Sequence, residues 1–369
     1  MRYRGQKAMQ RSGATSLLMM LFAVVTAALP TAATASEGDA STTVIREQWL
    51  TERNVADNVD SVATWHSASG DHWLLTTAKD SDLLQVFDAA SGTLIDRFGG
   101  TGDALGRFLR PNGMAVIDDL LLVVERDNQR VQVLALPDFQ PLGAFGHEQL
   151  ELPYGLWVEV REHGYRVYVT DAYERPGGRP PLDADLDRRL KQFEFRRHGN
   201  SIEAAFLGAS GDTRGMGRLP KVESLFGDTV HDRLLVADES ETDAGRVLKV
   251  YHLDGTFAGA EVGRGVFAYE PEGIALYACD DGSGYWIGAD QHEKHNRFHL
   301  FDRESLDHAG SFSGAEVRNT DGISLTRKAM PGFPAGALYA VHDDGSVGAF
   351  RLDSVLDSLD LAPCEEEKQ

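Results

Sequence analysis

Residues 111–136 read PNGMAVIDDLLLVVERDNQRVQVLAL. A Gly-centred turn opens a short strand, an apolar strand then ends at a carboxylate, and a third strand of the VxVF kind follows. The same cassette recurs along the chain. First strands begin with DSVATW at Asp60, PYGLWVEV at Pro153, VESLFGDTV at Val222, PEGIALY at Pro271 and TDGISL at Thr320. Their partners are HWLLTTAKDSDLLQVFD, YRVYVTDAYE continued by KQFEF, RLLVADESETDAGRVLKVYHL, GYWIGADQHEKHNRFHLFD and GALYAVHDDGSVGAFRL. A period of about 40–50 residues carried by β-branched and apolar strands marks a propeller rather than a sandwich. The reading predicts an all-β, six-bladed β-propeller with four-stranded antiparallel blades.

An open ring would leave a bare strand edge. The stretch TTVIREQWLT, Thr42 to Thr51, alternates like a strand and precedes blade one, while blade six ends at VGAFRLDSVL without a fourth strand. The N-terminal strand is therefore expected to close the ring as the outer strand of the last blade. Tyr173 to Leu190, rich in Pro, Gly, Asp and Arg, is too long and polar for a blade turn and reads as a loop inserted in blade three. The propeller is expected to occupy residues 36–363 as one domain, with CEEEKQ as a charged, frayed tail at 364–369.

Residues 1–35 read as a signal peptide. Arg2, Arg4, Lys7 and Arg11 form a basic n-region, Leu17 to Leu29 an apolar h-region, and Ala33-Thr34-Ala35 a small-residue cleavage site. A secreted or periplasmic protein is expected, cleaved after Ala35. Removing that segment takes away four cations and no carboxylates, so the formal charge moves from −21 by four units to −25. Such a field excludes nucleic acid and anionic membrane surfaces as partners. The two cysteines, Cys279 and Cys364, fall in an oxidising compartment on this reading and could pair, pinning the tail to blade five. Their separation in space is not readable from the chain.

GGTGDALG at Gly99 has phosphate-loop glycines but not the GxGxxG spacing, and RFLRPNG leads on to a strand instead of a helix. It reads as a turn. His292, His295 and His299 in HEKHNRFH lack the HExxH order and read as a solvated loop. No GxSxG elbow is present, so covalent catalysis has no candidate. Carboxylates remain. Asp60, Glu223, Glu272 and Asp321 each open a first strand, and Asp238 and Glu239 end a second strand in VADES. Innermost strands run side by side about a propeller axis, so these acids should gather at one mouth of the channel. For any single acid, turn chemistry is the ordinary reading. For the whole set, a shared hard cation is favoured, and oxygen-only ligands favour Ca²⁺.

These residues carry a resemblance. EPEGIALYACDDGSGYWIGADQHEKHNRFHLFDRES, NTDGISL and GALYAVHDDGSVGAFRL resemble the acid-x-Glu-Gly, GY and TDGI strands of the β-propeller phytases. VES at Glu223, ADES at Glu239, the strand around Lys79 and PYGL at Tyr154 are similar to further motifs of that family. The resemblance implies a calcium-dependent hydrolase of phytate and related phosphomonoesters, in which calcium ions bridge phosphate to carboxylates and activate a water. It implies Asp60, Glu223, Glu239, Glu270, Glu272, Gln291 and Asp321 as metal ligands or water positioners, with Glu223 and Glu272 catalytic. Lys79, Arg126 and Tyr154 would bind the phosphates of an inositol phosphate. Arg126 on its own reads equally well as a surface residue.

The chain departs from the family at Ser61 and Ala115, which stand where acids are expected, and VTDAYE lacks an expected lysine. Blade two is similar to an NHL repeat. A non-catalytic binding propeller with a reduced calcium site, or a lactonase-like hydrolase, stays open as the alternative. A monomer is expected.

Overall fold

The computed structural model describes residues 42–240 and 245–365. The expected signal peptide over 1–35 lies outside the described residues, as do the last four positions of CEEEKQ. Among the described residues the chain forms a six-bladed β-propeller. Blade one comprises Val59–His66, His72–Ala78, Leu83–Asp88 and Leu94–Gly99. Later blades open with the inner strands Pro111–Ile117, Pro153–Arg161, Val222–Asp228, Glu270–Ala278 and Ile323–Thr326.

The apolar pattern of the second strands explains the ring. Leu74 and Leu75, Leu121 and Leu122, and Leu234 and Leu235 are neighbours in sequence, and all are buried. Successive side chains point to opposite faces of a strand, so each pair serves two blade interfaces. Leu74 packs in one cluster with Tyr339 and Val341 between blades six and one. Leu75 joins Leu121 between blades one and two, and Leu122 joins Val167 between two and three. The remaining interfaces are built the same way, with Tyr168 and Leu234, Leu235 and Trp286, and Ile287 and Leu338 as members of their clusters. Both faces of every blade are thus covered.

Ring closure differs in detail from the expectation. Trp49–Leu50 pairs antiparallel with Gly348 and Ala349 as the outer strand of blade six. Thr43–Ile45 instead runs parallel to Phe312–Gly314, adding a strand to blade five. The break falls at Glu47, whose buried carboxylate accepts the N–H groups of Glu316 at 3.0 Å and Val317 at 2.8 Å. One segment therefore straddles two blades. After blade six the chain forms a short helix, Leu352–Ser358, whose Leu352, Val355 and Leu356 are buried; the sequence reading missed it. The insertion of blade three holds a 3-10 helix, Asp183–Arg188.

Cys279 and Cys364 form a disulfide that spans 85 residues. Cys364 N–H also donates to the Tyr277 hydroxyl at 3.0 Å, so the start of the expected tail is anchored. The bridge joins the exit end of blade five's inner strand, away from the end where the first-strand acids lie. Cys364→Ser should cost about 2–4 kcal/mol of stability without altering ligand binding at the channel mouth. Urea denaturation of the two proteins, with calcium titrated into each, checks both statements; an unchanged midpoint would show that the bridge contributes nothing.

Candidate functional site

Five inner strands slip in register just after they begin, between Val59 and Val62, Pro111 and Met114, Pro153 and Leu156, Val222 and Leu225, and Pro271 and Ile274. A bulge re-aims the side chains inside it. The first residues within these bulges are Asp60, Asn112, Tyr154, Glu223 and Glu272, and Asp321 takes the same place ahead of Ile323. Each is followed by Ser or Gly: Ser61, Gly113, Gly155, Ser224, Gly273 and Gly322. At the glycines the reason is steric. A Cβ on Gly113 would stand 2.4 Å from the Tyr154 carbonyl oxygen, one on Gly155 2.5 Å from that of Glu223, and one on Gly322 2.4 Å from that of Asp60. Backbones of adjacent blades touch at this neck, and the preceding side chains form a ring above it. Below it runs a channel of about 320 Å³ whose wall includes Ala63, Ala115, Trp157, Phe226, Ala275 and Ser324. Ala115 thus lines the channel, and the ring member of blade two is Asn112.

A second tier comes from the ends of the second strands. Asp238 is fully buried and lies 2.6 Å from Lys249 Nζ. Equivalent staples are Glu125 with Gln132 Nε2 at 2.9 Å, Asp171 with Lys191 at 3.6 Å and Asp290 with His299 at 3.3 Å. These acids also receive loop N–H groups, as Asp290 does from Ala268 at 3.0 Å and Tyr269 at 2.8 Å. In blades two, three and five they hold the blade to its incoming loop. His299 is consequently a buried strand residue rather than part of a solvated loop, while His292 lies in the loop with its ring tilted against that of Tyr269, centroids 4.0 Å apart.

One position beyond these four staples stand Arg126, Ala172, Glu239 and Gln291, and at the equivalent second-strand ends of blades one and six Lys79 follows Ala78 and Asp343 follows His342. Ala172 occupies the place of the lysine absent from VTDAYE. The pair Asp238 and Glu239 therefore divides, one acid to the scaffold and one to the mouth.

The two tiers meet. Asp60 Oδ1 receives Lys79 Nζ at 2.7 Å and the Tyr154 hydroxyl at 3.0 Å, and Ser61 Oγ donates to Asp60 Oδ2 at 3.2 Å. Gln291 Nε2 donates to Asp321 Oδ1 at 3.1 Å. Glu223, Glu239 and Glu272 bring carboxylate oxygens within 4.8 Å of one another. Lys221, which the sequence reading passed over, reaches Glu239 Oε2 at 3.0 Å and Glu270 Oε1 at 3.4 Å. Arg126 makes its ion pair with its neighbour Asp127 at 2.7 Å and bonds none of these acids. Glu239 is fully buried, its Oε1 has no hydrogen-bond partner among the protein groups, and neither has the amide of buried Asn112.

Burial, then the Asp60 charge, pushes the Glu223 carboxyl from its ordinary 4.5 up to about 7, against the pull of Lys221 and Lys79. Burial and Glu223 raise Glu239, burial with Glu239 and Glu223 raises Glu272, and burial and Asp60 raise Asp321. Burial opposes the charge on Lys79, yet Asp60, Asp321 and Glu223 hold its ammonium above the ordinary value. The cluster is short of positive charge. Oxygen-only donors with unpaired buried atoms fit a hard cation, which Glu223, Glu239 and Glu272 could hold.

A raised folded-state carboxyl binds its proton more tightly than the unfolded chain does. Without a cation, Glu223 should therefore cost stability progressively as pH rises from about 4.5 through about 7. His66, pushed down from 6.5 to about 4 by burial and then by His72 and Lys328, contributes the opposite slope over a largely overlapping range. The informative quantity is the difference between the protein and Glu223→Gln in chelator. Stability of the protein relative to the variant should fall between pH 5 and pH 8, and saturating calcium should abolish the fall. A relative stability that rises over that interval would contradict the electrostatic account.

No protein-family model matches the chain. No curated protein matches it. Among solved structures it is similar to the hydrazine synthase of Kuenenia stuttgartiensis, at 11% identity and TM-score 0.47 over 84% of this chain and 81% of that one. A catalytically inactive virginiamycin B lyase from Staphylococcus aureus with quinupristin matches at 9% identity and TM-score 0.46, covering 82% of this chain and 99% of that chain. A streptogramin B lyase matches at 12% identity and TM-score 0.46, over 82% and 97%. Likeness at this level assigns no activity to the chain.

Proposed function

We propose that the chain is a calcium-dependent phosphomonoester hydrolase of the phytase kind, acting on inositol phosphates and exported through its N-terminal segment. What supports the reading most is the meeting of Glu223, Glu239 and Glu272 within 4.8 Å at the channel mouth, beside the ammonium groups of Lys79 and Lys221. When bound, calcium would draw charge from the phosphoryl oxygens and acidify an attacking water. The chain's own groups do the rest. Glu223, Glu239 and Glu272 would hold the ion, with Asp60, Asp321, Gln291 and Glu270 at its margin. Lysine charge at the mouth would offset the repulsion between an acidic protein and a phosphate. The disulfide of Cys279 and Cys364 suits an oxidising compartment.

One observation favours a second reading. Asp60 is 2% exposed and Glu239 0%, so the same ion would sit enclosed, as a structural cation of a binding propeller does. The two readings separate experimentally. Both require calcium to stabilise the fold, by about 2.7 kcal/mol at a hundredfold excess over Kd. Only the hydrolase releases phosphate from phytate or a simple phosphomonoester, and only with calcium present. Glu272→Gln keeps the shape of the side chain and removes its charge, so it should lower turnover by about 10²-fold or more while leaving the fold intact. Calcium stabilisation without phosphate release by the unsubstituted protein would establish the binding propeller instead.

A further inference from the structure

The two lysines at the mouth neutralise it in different ways. Lys79 is 8% exposed, and it donates to Asp60 at 2.7 Å. Asp321 and Glu223 also act on its charge. It is enclosed by acids. The Lys221 side chain is 42% exposed and bridges Glu239 Oε2 at 3.0 Å and Glu270 Oε1 at 3.4 Å. Glu239 belongs to the carboxylate trio; neither of its buried oxygens has a hydrogen-bond partner, Oε2 meeting Lys221 as an ion pair and Oε1 meeting no cation. Lys221 thus holds an oxygen that a divalent cation at the trio would require, and its ammonium has a path to solvent.

We propose that Lys221 is a displaceable counter-ion, which yields Glu239 to the entering divalent cation and then serves as an anion ligand at the mouth. The inference rests on the calcium reading above. Competition follows from charge: an ammonium and a calcium ion cannot share Glu239 at these distances without strong repulsion. The gain follows from exposure, since a long, flexible side chain released from Glu239 keeps its charge and has solvent beside it. Blade three offers Ala172 where blade one offers Lys79. Lys221, entering the next blade, supplies a cation on that side of the ring. Calcium and a phosphate-like anion should therefore bind cooperatively, each tightening the other by the same factor.

Calorimetric titration of calcium, with and without inorganic phosphate, tests this. Phosphate should tighten calcium binding to the unsubstituted protein by at least about fivefold. Lys221→Gln should bind calcium more tightly than the unsubstituted protein when phosphate is absent, and phosphate should no longer change its affinity. Lys221→Arg keeps the charge and should keep the coupling, which guards against a variant that has merely lost its fold. Weaker or equal calcium binding by Lys221→Gln, or coupling that survives in it, would overturn the role of Lys221 and leave the calcium site standing. Absence of calcium binding by the unsubstituted protein would instead remove the calcium reading on which the inference depends.

Discussion

The neck of the channel is the constraint on which the remaining structure turns. At this radius a Cβ on Gly113, Gly155 or Gly322 would collide with the backbone of the next blade, so at those positions the inner strands can meet only through glycine, while Ser61 and Ser224 are the small residues at two others. The close approach puts the preceding side chains around one small ring. Chain-distant residues become neighbours there: the Tyr154 hydroxyl bonds Asp60 across 94 positions. Once acids occupy that ring they are buried together, and burying an ion costs several kcal/mol unless it is paired. The chemistry of the mouth is thus an outcome of packing. The fold sets where charge must gather, and the identities at six equivalent positions decide how much.

Cations on the chain meet part of that demand and leave part unmet. Asp171 and Asp238 each have a dedicated buried lysine, Lys191 and Lys249, and these acids belong to the scaffold. Glu223 and Glu272 have none, and their carboxyls are held protonated more readily by burial and by each other's neighbours. A group of acids that the scaffold has not neutralised is chemically distinct from the same residue type one position away. Position relative to the end of the second strand, more than residue type, separates structure from site.

The repeat was legible because both faces of each blade are buried, which writes unbroken apolar runs such as LLLVV at Leu120 at regular spacing. The ring was largely legible too. Asp60, Glu223, Glu272 and Asp321 share the form of an acid followed by Gly or Ser and an apolar residue, which is the bulge and the neck in one-dimensional form. Asn112 fits the same frame and could have been found by it. Lys221 could not, since a lysine one residue before a strand has no signature until the loop is folded against Glu239 and Glu270. Glu47 was equally hidden: its partners lie in another blade, 269 and 270 residues away, so nothing local announced that the closing strand would break. The short helix Leu352–Ser358 carries an apolar face too brief to stand out as a periodic pattern.

The straddling N-terminal segment has a consequence for the order in which the molecule can be made. Trp49 and Leu50 pair with Ala349 and Gly348, and the Thr51 N–H bonds the Val347 carbonyl at 2.9 Å. A ribosome emits the first of these strands long before their partners exist, so the earliest part of the propeller must wait, edge exposed, for almost the whole chain. Five blades can stack as they emerge, yet none of them can be sealed. The ring is completed in one late event of very high sequence separation, a step that loop-closure entropy makes slow. Until that step, the acids of blades one and six stand apart, and the mouth that would hold a cation does not exist.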